Sequence, residues 1–196
     1  MIDLRQIYQE TILDCFEGEF HEPGESKLYK SEMHLDLQQV TTTETKLSVV
    51  NNDCLVVGKQ MQYEGLNPAV LNMASAYRPG GGVLNGARAQ EECIFRRSNL
   101  FMSLYLFDRQ MYDLVIEPNM DGMYELSFIQ QGYPMDENFG GIYSADVTVF
   151  KDGKYEWLHN PYQTAFISVA AMNVNRALRQ GENILVDGRL SDRAVA

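Results

Sequence analysis

The chain has 196 residues, a length that suits one domain or one large domain with an extension and lets roughly 70% of the unfolded surface be buried. Its 45% hydrophobic and 22% charged content argues against disorder over the whole length. The formal net charge of −11 repels polyanions and argues against generic DNA or RNA binding, which needs a basic surface.

The predicted elements run as follows. The N-terminus MIDLRQIYQE carries charge early and lacks an apolar core of the kind a signal peptide has. Ile2, Ile7, Ile12, Leu13 and Phe16 share one face of a helix over 2–16. Residues 17–31 mix glycine, proline and charge and read as a loop. The β-branched run KLSVVN at 46–51 reads as a strand. A short helix over 54–63 ends at Gly65 and Pro68, and the apolar run AVLNMA at 69–74 leads into three glycines. A helix is expected from about 91 to 106, with Ile94, Phe101, Leu104 and Tyr105 facing inward. Residues 107–140 read as loop with short elements, and IYSADVTVF at 142–150 as a strand. Asp152-Gly153 signals a hairpin, with 154–158 pairing back; AFISVA at 165–170 is a further buried strand. A helix over 173–180 closes at Gly181, and Ser191 is placed to cap a last one.

No apolar run reaches the roughly 20 residues of a membrane helix, so a soluble, intracellular protein is expected. Cys15, Cys54 and Cys93 are widely spaced, with no CxxC, which suggests neither a zinc site nor a disulfide framework and fits a reducing compartment. His21, His34 and His159 have no metal-ligand spacing.

The chemistry concentrates in RPGGGVLNGARAQEE, Arg78 to Glu92. Glycines let a backbone approach a ligand closely, and successive N–H groups can form an anion-binding nest. The pattern is neither GxGxxG nor a P-loop. Glu91 and Glu92 open the following helix, where acidic residues are also simply favourable. Beside an anionic ligand, negative charge raises a carboxyl pKa, and one of the two becomes suited to general acid work. From Asn72 to Leu100, four arginines stand against two glutamates, a local exception to the acidic chain that is equally the pattern of a solvated helix face.

The spacing GGG-x7-QEE resembles the signature of poly(ADP-ribose) glycohydrolases. LNMASAYRPGGGVLNGARAQEECIFRRSNL (71–100), VVNND (49–53), GGIYSADVTVFKD (140–152) and ISVAA (167–171) look like the microbial-type branch of that family. The resemblance implies a macrodomain-like three-layer α/β/α fold with a mixed central sheet. Residues 1–45 would form an N-terminal helical extension and 46–196 the catalytic domain. The family continues past a segment like NILVDGRLSDRAVA, so the last strand or strands and a second glycine loop are expected to be missing, and the chain alone to bind ADP-ribose weakly and to be slow or inactive. The resemblance also implies hydrolysis of ribose–ribose O-glycosidic bonds in poly(ADP-ribose), with Glu92 as general acid and base and Glu91 holding ribose hydroxyls. Gly80, Gly81, Gly82 and Val83 would line the ligand, and Gln90 would brace the loop. Asn52 and Asp53 are candidate ligand contacts, and a turn-forming role suits them equally. Tyr143 and Phe139 are candidates for stacking or for the core. No metal or cofactor is implied. The expected partners are poly(ADP-ribose) or ADP-ribosylated proteins in the cytoplasm of a microbe, with no sequence-specific nucleic acid and no membrane. A non-catalytic ADP-ribose reader and a hydrolase of mono-ADP-ribosylated targets remain alternatives, though a reader has no need of an acid.

Overall fold

The computed structural model describes residues 2–18, 22–32, 44–116, 126–136, 138–170, 178–179, 181, 185–186 and 189–190. Helix α1 (Leu4–Glu17) starts where Asp3 accepts the Arg5 amide at 3.0 Å. Strand β1 (Ser26–Tyr29) follows, then α2 (Cys54–Tyr63), β2 (Ala69–Ala74), a 3-10 turn (Val83–Asn85), α3 (Gln90–Phe95), α4 (Leu100–Tyr105), α5 (Arg109–Val115), β3 (Gly141–Lys151) and β4 (Trp157–Ala170). A small hairpin of β5 (Leu185–Val186) and β6 (Arg189–Leu190) completes the described elements.

Four strands form a mixed sheet in the order β1-β3-β4-β2, in which only β2 and β4 run parallel. Val70, Asn72 and Ala74 of β2 are buried, and register places them beside Phe166, Ser168 and Ala170. This is the helical face: Gly58 of α2 lies close to Val70, and Ser103 of α4 bonds Ser144 of β3 at 2.6 Å. Leu71, Met73 and Ile167 face the other way and stay half-exposed. A bulge at Ala145–Asp146, where Asp146 has φ of 51°, brings Val147 and Val149 back to the helical side. The mixed α/β architecture agrees with the expected fold class; α2 and α3 pack against β2, and α4 against β3.

Several elements differ from the sequence reading, each for a tertiary reason. The run KLSVVN forms no strand: Leu47 and Val49 are 93% and 94% exposed, and strand propensity without a neighbouring strand does not order a backbone. Residues 26–29, read within a loop, pair with β3 as β1, so the first 45 residues contribute a strand as well as a helix. The helix expected over 91–106 breaks at 96–99 because that stretch pairs with the edge of β3. Phe150 and Lys151 donate to the Arg97 carbonyl, Asn99 donates to the Thr148 carbonyl, and the Thr148 amide donates to Asn99 Oδ1. The four residues expected to face inward are nevertheless all buried. The hairpin turn spans 152–156, and the two strands expected after it are one, β4. The helix over 173–180 and the Ser191 cap lie essentially outside the described residues.

The core joins α1, α3, α4 and the sheet through Tyr8, Phe95, Phe101, Tyr105, Phe150 and Phe166. Tyr8 and Tyr105 share a hydrogen bond of 2.6 Å between their hydroxyls. Lys151 is buried and pairs with Asp14 of α1 at 2.8 Å while donating to Thr11 at 3.1 Å. Removing one partner of such a pair strands a buried charge. Asp14→Ala is therefore expected to lower unfolding stability in urea by about 3 kcal/mol, and Lys151→Met, which removes the charge itself, by less.

Candidate active site

The stretch Ser75–Gly82 leaves the end of β2 and folds over the first turn of α3. Gly80 and Gly81 have φ of 75° and 50°, in the left-handed region that side chains resist. Crowding excludes side chains as well. A Cβ at Gly80 would stand 2.6 Å from the Phe95 ring, and one at Gly81 would stand 2.8 Å from Glu92 Oε1. The glycines thus let the loop lie directly on Phe95 and on the two glutamates.

The three side chains that begin α3 all grip backbone. Gln90 accepts the Met73 amide at 2.7 Å and donates to the Leu71 carbonyl at 2.8 Å, closing polar groups on the outer edge of β2. Its amide nitrogen also lies 3.6 Å from Cys54 Sγ, at the start of α2. Glu91 accepts the Ser75 amide at 2.8 Å on one oxygen and the Gly80 amide at 3.0 Å on the other. Glu92 accepts the Gly82 amide at 2.9 Å on Oε1, while Oε2 is buried with no hydrogen-bond partner. The two carboxyl residues are only 3% and 7% exposed.

Burial pushes the Glu91 carboxyl up to about 7; the Ser75 and Gly80 amides pull the other way, the Glu92 charge adds to the rise, and Asn72 opposes it. Asn72 is fully buried in β2 and donates to Ser168 at 3.1 Å. The phenols of Tyr8, Tyr105 and Tyr133 are raised above their ordinary value, first by burial and in part by the Glu91 charge, so they stay neutral beside it.

Of the other candidates, Val83 is 1% exposed, its amide donating to the Gly80 carbonyl at 2.9 Å and its carbonyl accepting the Gly86 amide at 3.1 Å. Asn52 is exposed and accepts the Asp53 amide at 2.8 Å. Asp53 caps α2 through the Leu55 and Val56 amides and takes both guanidinium arms of Arg97, at 2.7 and 3.2 Å. Burial opposes its ionised form, but the Arg97 bonds and charge and the α2 amides outweigh it, and its carboxyl sits below the ordinary value. Arg96 is also buried, donating to the Leu4 and Ala87 carbonyls, so the arginine-rich stretch is not a solvated helix face; Arg78 and Arg88 alone are exposed. Phe139 is half-exposed and Tyr143 partly buried. Cys93 is half-buried against the Arg88 carbonyl and the Tyr155 hydroxyl. Among the described residues, no His, Cys, Asp and Glu group could hold a metal. The sequence reading missed the Ser75 amide, which carries no sequence signal, and Asn72, whose polar side chain inside an apolar strand run was a visible sign of a buried contact.

Residues 19–152 match the family described as microbial-type PARG, catalytic domain. The chain belongs to that family. PARG enzymes are poly(ADP-ribose) glycohydrolases, and the PARG-family match contains the whole glycine loop and both glutamates. The crystal structure of the Thermomonospora curvata enzyme is 26% identical over 92% of this chain and 68% of its own, with a TM-score of 0.64. The same enzyme bound to the inhibitor ADP-HPD is 26% identical over 89% and 64%, with a TM-score of 0.61. This chain therefore spans about two thirds of their length. A Deinococcus radiodurans PARG point mutant in complex with ADP-ribose shares the fold at 22% identity and a TM-score of 0.56, over 86% and 60%. No curated protein matches the chain.

Because Glu91 holds its proton more tightly when folded than when unfolded, its contribution to stability is full below about pH 4.5 and is lost as pH rises through about 7. The loss is on the order of 3 kcal/mol, and Glu91→Gln is expected to flatten it in urea melts taken across that range. Gln90→Ala is expected to expose the outer edge of β2, read as about tenfold faster hydrogen exchange at the Met73 amide.

Proposed function

We propose that the chain hydrolyses the ribose–ribose O-glycosidic bonds of poly(ADP-ribose), releasing ADP-ribose, with Glu92 as general acid and then base. The observation that carries this reading is the state of the Glu92 carboxyl: one oxygen bonded to the Gly82 amide, the other buried and unpartnered beneath a glycine loop. A carboxyl with one free oxygen can carry a proton to a leaving group.

In the proposed reaction Oε2–H protonates the departing ribose oxygen as its bond to the anomeric carbon breaks. The bond electrons go to that oxygen, and the anomeric centre becomes oxocarbenium-like. Water then adds to the carbon and gives its proton to the Glu92 carboxylate, which restores the acid. Glu91 is cast as a positioner, so the scheme departs from the usual pair of working carboxylates. Each Glu91 oxygen accepts one loop amide, and a carboxylate oxygen has capacity for a second donor, which ribose hydroxyls would fill. Gly80, Gly81, Gly82 and Val83 would approach the diphosphate through backbone. Gly81 N–H, with a long 3.3 Å bond to the Arg78 carbonyl, is the least committed amide of the three glycines. Asn52 would reach a ligand from the start of α2, and Asp53 would hold that corner in place.

Among the described residues no helix is long and apolar enough to cross a membrane. The wide spacing of Cys15, Cys54 and Cys93, with no CxxC, supports a reducing compartment, and we place the protein in microbial cytoplasm, with poly(ADP-ribose) or ADP-ribosylated proteins as its partners.

Glu92→Gln is expected to reduce ADP-ribose release from labelled polymer by about 10²-fold or more while calorimetry shows ADP-ribose binding retained. Equal release by the variant and the parent chain would remove Glu92 from the reaction.

A further inference from the structure

We infer that the Gly82 backbone amide is a positioning group for the acid: it fixes which oxygen of Glu92 carries the proton. The inference rests on the role proposed for Glu92 and assigns the group that makes that role directional.

The Gly82 N–H donates to Oε1 at 2.9 Å. In a neutral carboxyl the carbonyl oxygen is the stronger acceptor and the hydroxyl oxygen the weaker one. A donor fixed on Oε1 therefore makes Oε1 the carbonyl and leaves the proton of the neutral form on Oε2, the oxygen with no partner among the described residues. The donor cannot easily turn away. The Gly82 carbonyl accepts the Asn85 amide at 2.9 Å and the Ala87 amide at 3.2 Å, which ties residue 82 to the 3-10 turn that follows. On the other side, the absent side chain of Gly81 leaves the space that Oε1 occupies. The amide is thus held at the carboxyl before any substrate arrives, and the proton is presented on one oxygen only.

The test replaces the Gly82 amide with an ester, which deletes the N–H and adds no side chain. Two substrates separate acid positioning from general damage. The ribose leaving group of poly(ADP-ribose) needs a proton; the phenolate of a 4-nitrophenyl ADP-ribosyl glycoside leaves without one. The ester variant is expected to lose about 10- to 100-fold more in kcat on the polymer than on the aryl glycoside. Equal losses on both substrates, or an unchanged polymer rate, overturn the inference. Should the ester variant not fold, Gly81→Ala displaces the same oxygen with a Cβ that would stand 2.8 Å from it and 3.2 Å from Glu91 Oε2, and the same greater loss on polymer than on the aryl glycoside is expected. A Glu92→Gln chain that cleaves polymer at the parent rate defeats the proposed acid itself, whatever happens at residue 82.

Discussion

Everything at this site depends on the first turn of α3 acting as a template for backbone. Gln90, Glu91 and Glu92 are consecutive, and between them they bond the main chain of residues 71, 73, 75, 80 and 82. Side chains on successive helical residues point about 100° apart, so three in a row fan across one end of the helix. The chain from β2 through the glycines lies across that fan. The seven residues between the glycines and Gln90 are the connection that lets it do so: a 3-10 turn, a left-handed Gly86, and an extended Ala89.

The same contacts set the chemistry. Burial favours the neutral form of a carboxyl, and each donated amide favours the carboxylate. Glu91, with an amide on each oxygen, is drawn toward the anion while burial drives it the other way. Glu92, with one amide, keeps a free oxygen. Two adjacent residues of one type are thereby given different environments by backbone alone, and the glycines are what let that backbone come close enough.

The sequence made part of this readable. Helical periodicity located α1, and the short apolar run located β2; in both, local pattern and tertiary environment agree. The contact of the glycine loop with the two glutamates was legible because those residues are close together in the chain. Failures came where a partner distant in sequence decides. KLSVVN has strand propensity and no strand beside it, whereas Ser26–Tyr29 has a mixed composition and pairs with β3. The break after Phe95 has no glycine or proline to announce it; residues 97–99 leave the helix because the edge of β3 offers them hydrogen bonds. Arg96 and Arg97 looked like surface charge and are buried, since their partners lie on α1, the glycine-loop exit and the start of α2.

Those arginines bear on how an acidic chain handles an anionic ligand. With a net charge of −11, the global field opposes approach; Arg96 and Arg97, just after α3, are committed to the architecture, while Arg78 and Arg88 are exposed. Arg97 locks the α2 start to the stretch that joins α3 to α4, and Arg96 ties α1 to the loop exit. Beside the exposed Arg78 and Arg88, fixed backbone dipoles act on charge at the glutamates. Unlike exposed lysines or arginines, they lose little to salt, because they act over hydrogen-bond distance in a space that ions do not enter. Recognition of charge here is therefore a matter of the shape the loop is held in, which returns it to the three side chains at the start of α3.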